Sequence, residues 1–431
     1  MHYFSTNGNT PPATFREAVE RGQASDGGLF FPSEIPTFTS GFLSTLVDRS
    51  NADIAFEMIR PYVGGEIGDA ELHQICVETV EFPFPLVDIT PDISALELFH
   101  GPTFAFKDVG ARFMSRCLRH FSTKDSAKTL VVVATSGDTG GAVGAGFHGV
   151  DGVEVVILYP EGRVSRIQEL QLTTLGENVT ALKVRGSFDD CQRIAKRTLA
   201  DDEIRSRAKL TSANSINIGR WLSQQFYFAF AIKQWRHDEP PVFSVPSGNF
   251  GNIAAGLLAV ESGLPASAFV AACNANDVVP RFMNDGMFEP RTSVATLSNA
   301  MDVGDPSNFS RVLEIFDHDR SNIAKTMTAV SITDAETEST MKQVYESSSY
   351  VLDPHGAVAY RALADHLEKK PGARGIFLAT AHPIKFECTE RIVGDNIPVP
   401  GSVKDLIGRS EFVREVDADY DKVKEILLRV I

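Results

Sequence analysis

The chain is poor in cysteine and short of positive charge, and it has no long apolar run. Its 5 cysteines, Cys76, Cys117, Cys191, Cys273 and Cys388, form no C-x-x-C pair and are odd in number. That argues against a disulfide framework and against the common zinc spacings, and leaves plain buried or half-buried thiols. A metal site built from His100, His355 and His382 lacks any close ligand spacing, so no metal is expected. There are 41 Lys and Arg against 56 Asp and Glu, a net charge of −15. A surface of that sign repels nucleic acid and anionic membranes, so neither is an expected partner. An anionic small molecule stays possible where a few cations or backbone amides gather. The small apolar stretch 140–146 is far too short to cross a bilayer. The start, Met1-His2-Tyr3-Phe4-Ser5-Thr6, has no basic region followed by an apolar one, unlike a signal peptide. The expectation is a cytoplasmic protein, monomeric or homodimeric.

What is present reads as an α/β protein. A length of 431 residues suggests two or three domains with a large core. In the middle of the chain, short Val- and Ile-rich runs end in Gly-, Ser- or Asn-containing loops, and amphipathic stretches follow. Five runs stand out: 130–134, 155–158, 179–184, 243–245 and 376–379. Buried parallel strands have this continuous apolar character, and their alternation with helical patterns predicts βαβ units. In open α/β sheets, ligands sit beyond the carboxyl ends of the strands. The polar loops after these runs are therefore where a site is expected.

Five segments carry candidate chemistry. Lys107 follows Phe104-Ala105-Phe106. Apolar surroundings lower a lysine's pKa and yield the neutral amine that Schiff-base chemistry needs, although a lysine snorkelling to water fits the same segment. Ser247-Gly248-Asn249-Phe250-Gly251-Asn252 lies between a strand and an apolar helical stretch. Such a turn can aim backbone N–H groups at a phosphate, or be merely a tight turn before a helix. It is not a G-x-x-x-x-G-K loop. Thr135-Ser136-Gly137-Asp138-Thr139-Gly140-Gly141 could bind a carboxylate at a helix N-terminus, or simply cap that helix through Asp138 or Ser136. Asn214-Ser215-Ile216-Asn217-Ile218-Gly219-Arg220 offers neutral donors and a guanidinium fork, or an ordinary helix start. Thr380-Ala381-His382-Pro383, with Lys385 following, places a hydroxyl at a strand end, or terminates the strand.

Together, and in this order, these segments resemble the threonine synthase family of fold-type-II pyridoxal-phosphate (PLP) enzymes. The resemblance runs over nearly the whole chain. Lys107 and the glycine-rich loop are shared with cysteine synthases and serine dehydratases. The segment Asn214 to Arg220 and Ser298-Asn299-Ala300-Met301-Asp302 are more specific. The length is similar to that of the longer, fungal- and enterobacterial-like branch. The resemblance implies a tryptophan-synthase-β-like fold of two open twisted α/β sheet domains with an N-terminal extension. Its expected divisions are an N-terminal region 1–90, a large PLP-binding domain 91–128 with 212–390, a small substrate-side domain 129–211, and a C-terminal segment 391–431.

By motif, the resemblance makes Lys107 the lysine that holds PLP covalently. It makes Ser247, Gly248, Asn249, Phe250, Gly251 and Asn252 the cofactor phosphate loop, and Thr380 the partner of the pyridine nitrogen. Thr135, Ser136 and Thr139 become contacts for the substrate carboxylate; Asn214, Ser215 and Arg220 become contacts for its phosphate. Where the shorter branch has an asparagine facing the PLP phenolic oxygen, this chain has Asp138. After Tyr159-Pro160, Glu161 stands where the longer branch often has lysine, leaving Arg163 as the nearby cation. The implied reaction converts O-phosphohomoserine and water into threonine and phosphate. Two other readings compete: a phospholyase that releases 2-oxobutyrate, and a non-catalytic binding module, against which the intact Lys107 argues.

Overall fold

The computed structural model describes residues 1–122, 127–394, 397 and 399–431. Its strands, in chain order, are β1 (Tyr3–Ser5), β2 (Phe30–Pro32), β3 (Leu86–Thr90), β4 (Ile93–Glu97), β5 (Thr129–Ala134), β6 (Val153–Pro160), β7 (Val179–Arg185), β8 (Lys209–Ser212), β9 (Val242–Pro246), β10 (Ala268–Cys273), β11 (Met327–Ser331), β12 (Gly375–Ala379) and β13 (Val413–Asp417). They form three sheets.

The large sheet has the order β11-β10-β9-β12-β4-β3, parallel except for β3, which pairs antiparallel to β4. The small sheet, β13-β7-β6-β5-β8, is parallel throughout. All five apolar runs lie inside strands of these sheets. Every residue of β5, β9 and β12 is buried, because helices cover both faces; a strand without a wet face has no reason to alternate. The helix Phe188–Leu199 shows the complementary pattern. A Ser187–Asp190 capping box starts it, and it turns Cys191, Ile194, Ala195 and Thr198 onto the small sheet.

The ends of the chain depart from the expected divisions. The stretch 82–91, which carries Pro83, Pro85 and Pro91, contains β3, so the large sheet begins before residue 91. The C-terminal segment is not separate: β13 adds to the small sheet beside β7, and the helix Tyr420–Val430 buries Tyr420, Val423 and Leu427 over that sheet's core. At the other end, β1 and β2 make a two-stranded ribbon, and the Tyr3 hydroxyl donates to the Tyr62 carbonyl at 2.5 Å. The N-terminal helix Asp69–Thr79 packs on the large-domain helix Lys107–Phe121, where Arg112 donates to the Glu78 carbonyl at 2.9 Å. Among the described residues no helix is long and apolar enough to cross a membrane.

Candidate active site

In the large sheet, β9, β12 and β4 are neighbours. β9 leads away through β10 to β11 on one side and β4 leads to β3 on the other, so a topological switch point falls at β9 and β12. Phe377 pairs with Ser244. Thr380 follows the end of β12 and Ser247 the end of β9. From β4 the chain runs through His100-Gly101-Pro102-Thr103 to Lys107, the first residue of the helix Lys107–Phe121. This loop is pinned to the end of β12: Phe106 N–H donates to the Thr380 carbonyl at 2.9 Å and His382 N–H to the Phe104 carbonyl at 3.0 Å. The Tyr227 hydroxyl donates to the Phe106 carbonyl. Thr103 binds Asp108 twice, through its hydroxyl at 2.5 Å and its N–H at 3.0 Å.

The small sheet brings the β5 loop to the same place. Lys107 Nζ lies 3.8 Å from Asp138 Oδ2, and the lysine side chain is only 16% exposed. Burial is the largest influence on the Lys107 amine and lowers its pKa; Lys385 and Arg220 push the same way, while Asp138 and Asp353 oppose them. Asp138 is buried too, which by itself would raise its carboxyl. Lys385 and then Lys107 outweigh burial and hold it well below the usual carboxylate range. Both lysines thus favour its ionised form. Lys385, whose only sequence signal was its position after the Thr380 segment, donates to Asp138 Oδ1 at 2.6 Å and is fully buried.

The expected phosphate loop and the segment 214–220 meet directly. Asn249 Nδ2 donates to the Ser215 hydroxyl at 2.6 Å. Asn249 Oδ1 accepts from the N–H and hydroxyl of Ser307, at 2.8 and 2.9 Å. Phe250 adopts a left-handed conformation (φ 63°) and turns the chain into the helix Gly251–Glu261. Ser247 and Asn252 brace the turn through the carbonyls of Val245 and Pro246, both at 2.8 Å. Among the described residues, the N–H groups of Asn249, Phe250, Gly251 and Asn252 have no protein acceptor. That leaves a row of donors at a helix N-terminus, which suits an anion.

Arg220 is buried in the helix Ile218–Leu222, where burial lowers its pKa to about 10. One arm donates to the Ala213 carbonyl, while Nε has no partner among the described residues. Asn214 Oδ1 is likewise buried and unpartnered. Thr135 commits its hydroxyl to its own loop, accepting from Gly137 N–H at 3.0 Å and Gly140 N–H at 2.9 Å. The hydroxyls of Ser136, Thr139 and Thr380 bond to none of the described residues. Glu161 and Arg163 are exposed and stand outside this cluster. Neither sequence pattern nor motif pointed to Gln168, Gln171 or Ser307, which brace the site from other loops and helices.

The Lys107 amine, its pKa lowered by burial, meets Asp138 from the small sheet, and the loops after β5, β9 and β12 carry polar atoms that bond to none of the described residues. This combination defines the fold-type-II class of PLP-dependent enzymes, and the residues present fit that cofactor: an amine for its aldehyde, a row of free N–H groups for its phosphate. The comparisons agree. Residues 89–380 match the family described as pyridoxal-phosphate dependent enzyme. Residues 2–80 match the threonine synthase N terminus and 356–427 the threonine synthase C-terminal family. Threonine synthase from Haemophilus influenzae is 41% identical over 432 residues, covering 100% of both chains. The crystal structure of threonine synthase from Escherichia coli has a TM-score of 0.92 and 39% identity, with 100% of each chain covered. The PLP-bound threonine synthase from Brucella melitensis has a TM-score of 0.93 and 34% identity, covering 100% of this chain and 99% of that one. The chain belongs to the threonine synthase family.

Proposed function

We propose that this enzyme converts O-phosphohomoserine and water into threonine and phosphate, with Lys107 as its catalytic base. The observation that carries the reading is the Lys107 amine itself. It is largely buried and 3.8 Å from Asp138, where the loop after β4 meets the loop after β5, and burial favours its neutral form. PLP, when bound, supplies the electron sink that makes protons on the substrate's α- and β-carbons removable. The residues supply the rest. Gly248, Asn249, Phe250, Gly251 and Asn252, with Ser247 bracing them, offer N–H groups to the cofactor phosphate. Thr380 offers a hydroxyl to the ring nitrogen, which unlike a carboxylate does not hold that nitrogen protonated. Asp138 would face the cofactor's phenolic oxygen.

Ser136 and Thr139, with the helix N-terminus at Asp138, orient the substrate carboxylate, and Thr135 shapes their loop. Asn214, Ser215 and Arg220 hold the substrate phosphate. Its bond to the γ-carbon breaks as the β-carbon loses a proton, the γ-carbon takes up a proton to become the methyl group, and water adds its oxygen to the β-carbon. Lys107, held beside the α-carbon, moves protons off and onto that carbon. The loops 136–141 and 214–220 exclude bulk water while the unsaturated intermediate exists. We place the enzyme in the cytoplasm as a monomer or homodimer; five unpaired thiols suit a reducing compartment.

The test is phosphohomoserine in heavy water with products followed by proton NMR. Threonine should appear in step with phosphate and carry deuterium at the α-carbon. Predominant 2-oxobutyrate would mean that the intermediate escapes and hydrolyses, and would sink the synthase reading.

A further inference from the structure

Lys385 sits in the short turn Pro383–Lys385 after β12, and its side chain is fully buried. A buried ammonium is tolerated only where its charge and its protons are met. Its partners come from both sheets: Asp138 Oδ1 at 2.6 Å, at the end of β5, and the Thr103 carbonyl at 2.8 Å, in the loop leading to Lys107. The small-domain helix Arg166–Thr173 repeats the same two contacts. Gln168 donates to Asp138 Oδ1 at 2.9 Å, and Gln171 donates to the Thr103 carbonyl at 3.0 Å. Asp138 Oδ2, by contrast, lies 3.8 Å from Lys107, beyond hydrogen-bond range. One carboxylate thus stands between two buried lysines, and it binds the one that does not react.

If Asp138 faced Lys107 alone, it would hold that amine in its protonated, non-nucleophilic form. We propose that Lys385 is a positioning residue of the active site: it engages Asp138 so that the Lys107 amine is free to lose a proton and bond to the cofactor's aldehyde carbon. This rests on the reading of Lys107 as the cofactor lysine. In the step concerned, the ammonium would give one proton to solvent, the amine lone pair would bond to the aldehyde carbon, and the aldehyde oxygen would leave as water carrying the amine's two remaining protons. The charged groups that act on Lys107 are Asp138 and Asp353, which favour its protonated form, and Lys385 and Arg220, which disfavour it. Removing Lys385 deletes one cation and releases one carboxylate, and both changes favour the protonated amine.

The experiment strips PLP from the full chain and follows its recapture from about pH 6 to about pH 9.5, a span that brackets a lowered lysine pKa. Borohydride reduction and peptide mass spectrometry locate the adduct, and near-ultraviolet circular dichroism checks the fold. Lys385→Met should move the midpoint of capture to higher pH and slow capture at pH 7 by at least about tenfold, the effect of one pKa unit. Lys385→Arg should shift it far less. Lys385→Met combined with Asp138→Asn removes both charges, so its midpoint should return close to that of the wild type. This double variant strands no buried charge and gives the answer if Lys385→Met alone fails to fold. A wild-type midpoint in Lys385→Met, or a raised midpoint in the double variant, overturns the proposal while leaving Lys107 as the cofactor lysine. A wild-type protein that forms no adduct at Lys107 overturns both.

Discussion

Gly248 lies against Met301 so closely that a Cβ on the glycine would come within 2.6 Å of the Met301 Cα and 3.1 Å of the Ala300 carbonyl oxygen. The obstacle is backbone, so no rotamer change relieves it. That backbone is itself fixed. Ala300 N–H donates to His355 Nε2 at 3.1 Å, and His355 Nδ1 is 2.6 Å from Asp353. The segment Ser298-Asn299-Ala300-Met301-Asp302 therefore acts as the wall behind the loop 247–252. Gly248→Ala should push the loop off that wall and misdirect its N–H groups. Overpacking of this kind costs roughly 1–3 kcal/mol. Retention of PLP through dialysis, read from visible absorbance, should fall by about tenfold or more. Unchanged retention would place the cofactor phosphate elsewhere.

Arg220 has one arm on the Ala213 carbonyl, and its Nε has no partner among the described residues. If the free edge takes the substrate phosphate, Arg220→Gln removes a charge-assisted hydrogen bond worth about 1.5–3 kcal/mol. The KM for phosphohomoserine should rise on the order of 10- to 100-fold. Inhibition by homoserine, which lacks the phosphate, should change little. Equal losses for the two compounds would reduce Arg220 to a support for the segment at Ala213.

His382 gives a pH dependence. Its Nδ1 accepts from Ile384 N–H at 3.2 Å, a role open only to an unprotonated nitrogen. Burial first, then the nearby His100, pushes its pKa down to about 4. An unfolded chain with an ordinary histidine near 6.5 takes up a proton that the folded chain refuses. The sign follows: between pH 6.5 and about 4 the unfolded state binds more protons, so stability falls as pH falls. Urea denaturation across that range should show the loss, and His382→Asn, which can still accept from Ile384, should flatten it. An equally steep slope in the variant would assign the effect to other groups.

How much of this was legible in the sequence depends on where each signal lies. The runs now seen in β5, β6, β7, β9 and β12 were readable because both faces of each strand are covered or nearly so, and apolar residues therefore stand side by side. β13 was not readable: its sequence Val-Arg-Glu-Val-Asp buries only Val416, as suits an edge strand. β3 was hidden between prolines and is mostly half-buried. Within the site, the Lys107 and Ser247–Asn252 segments each carry their chemistry in consecutive residues. The pairing of Asp138 with Lys385 is created wholly by folding, and no local spacing announces it. Thr135 misled in the opposite way: its residue type suits a ligand contact, but the tight turn at Gly137 claims its hydroxyl.

The pairing of β13 with β7 also sets an order of events during synthesis. β13 leaves the ribosome after every other strand of both sheets. Until then β7 is an open edge, with the backbone groups that later meet residues 413–417 unpaired. The small sheet therefore cannot be completed by the stretch of chain that supplies its other four strands. A nascent chain stalled before residue 413 would carry a nearly finished active site beside a surface ready to pair with any passing strand.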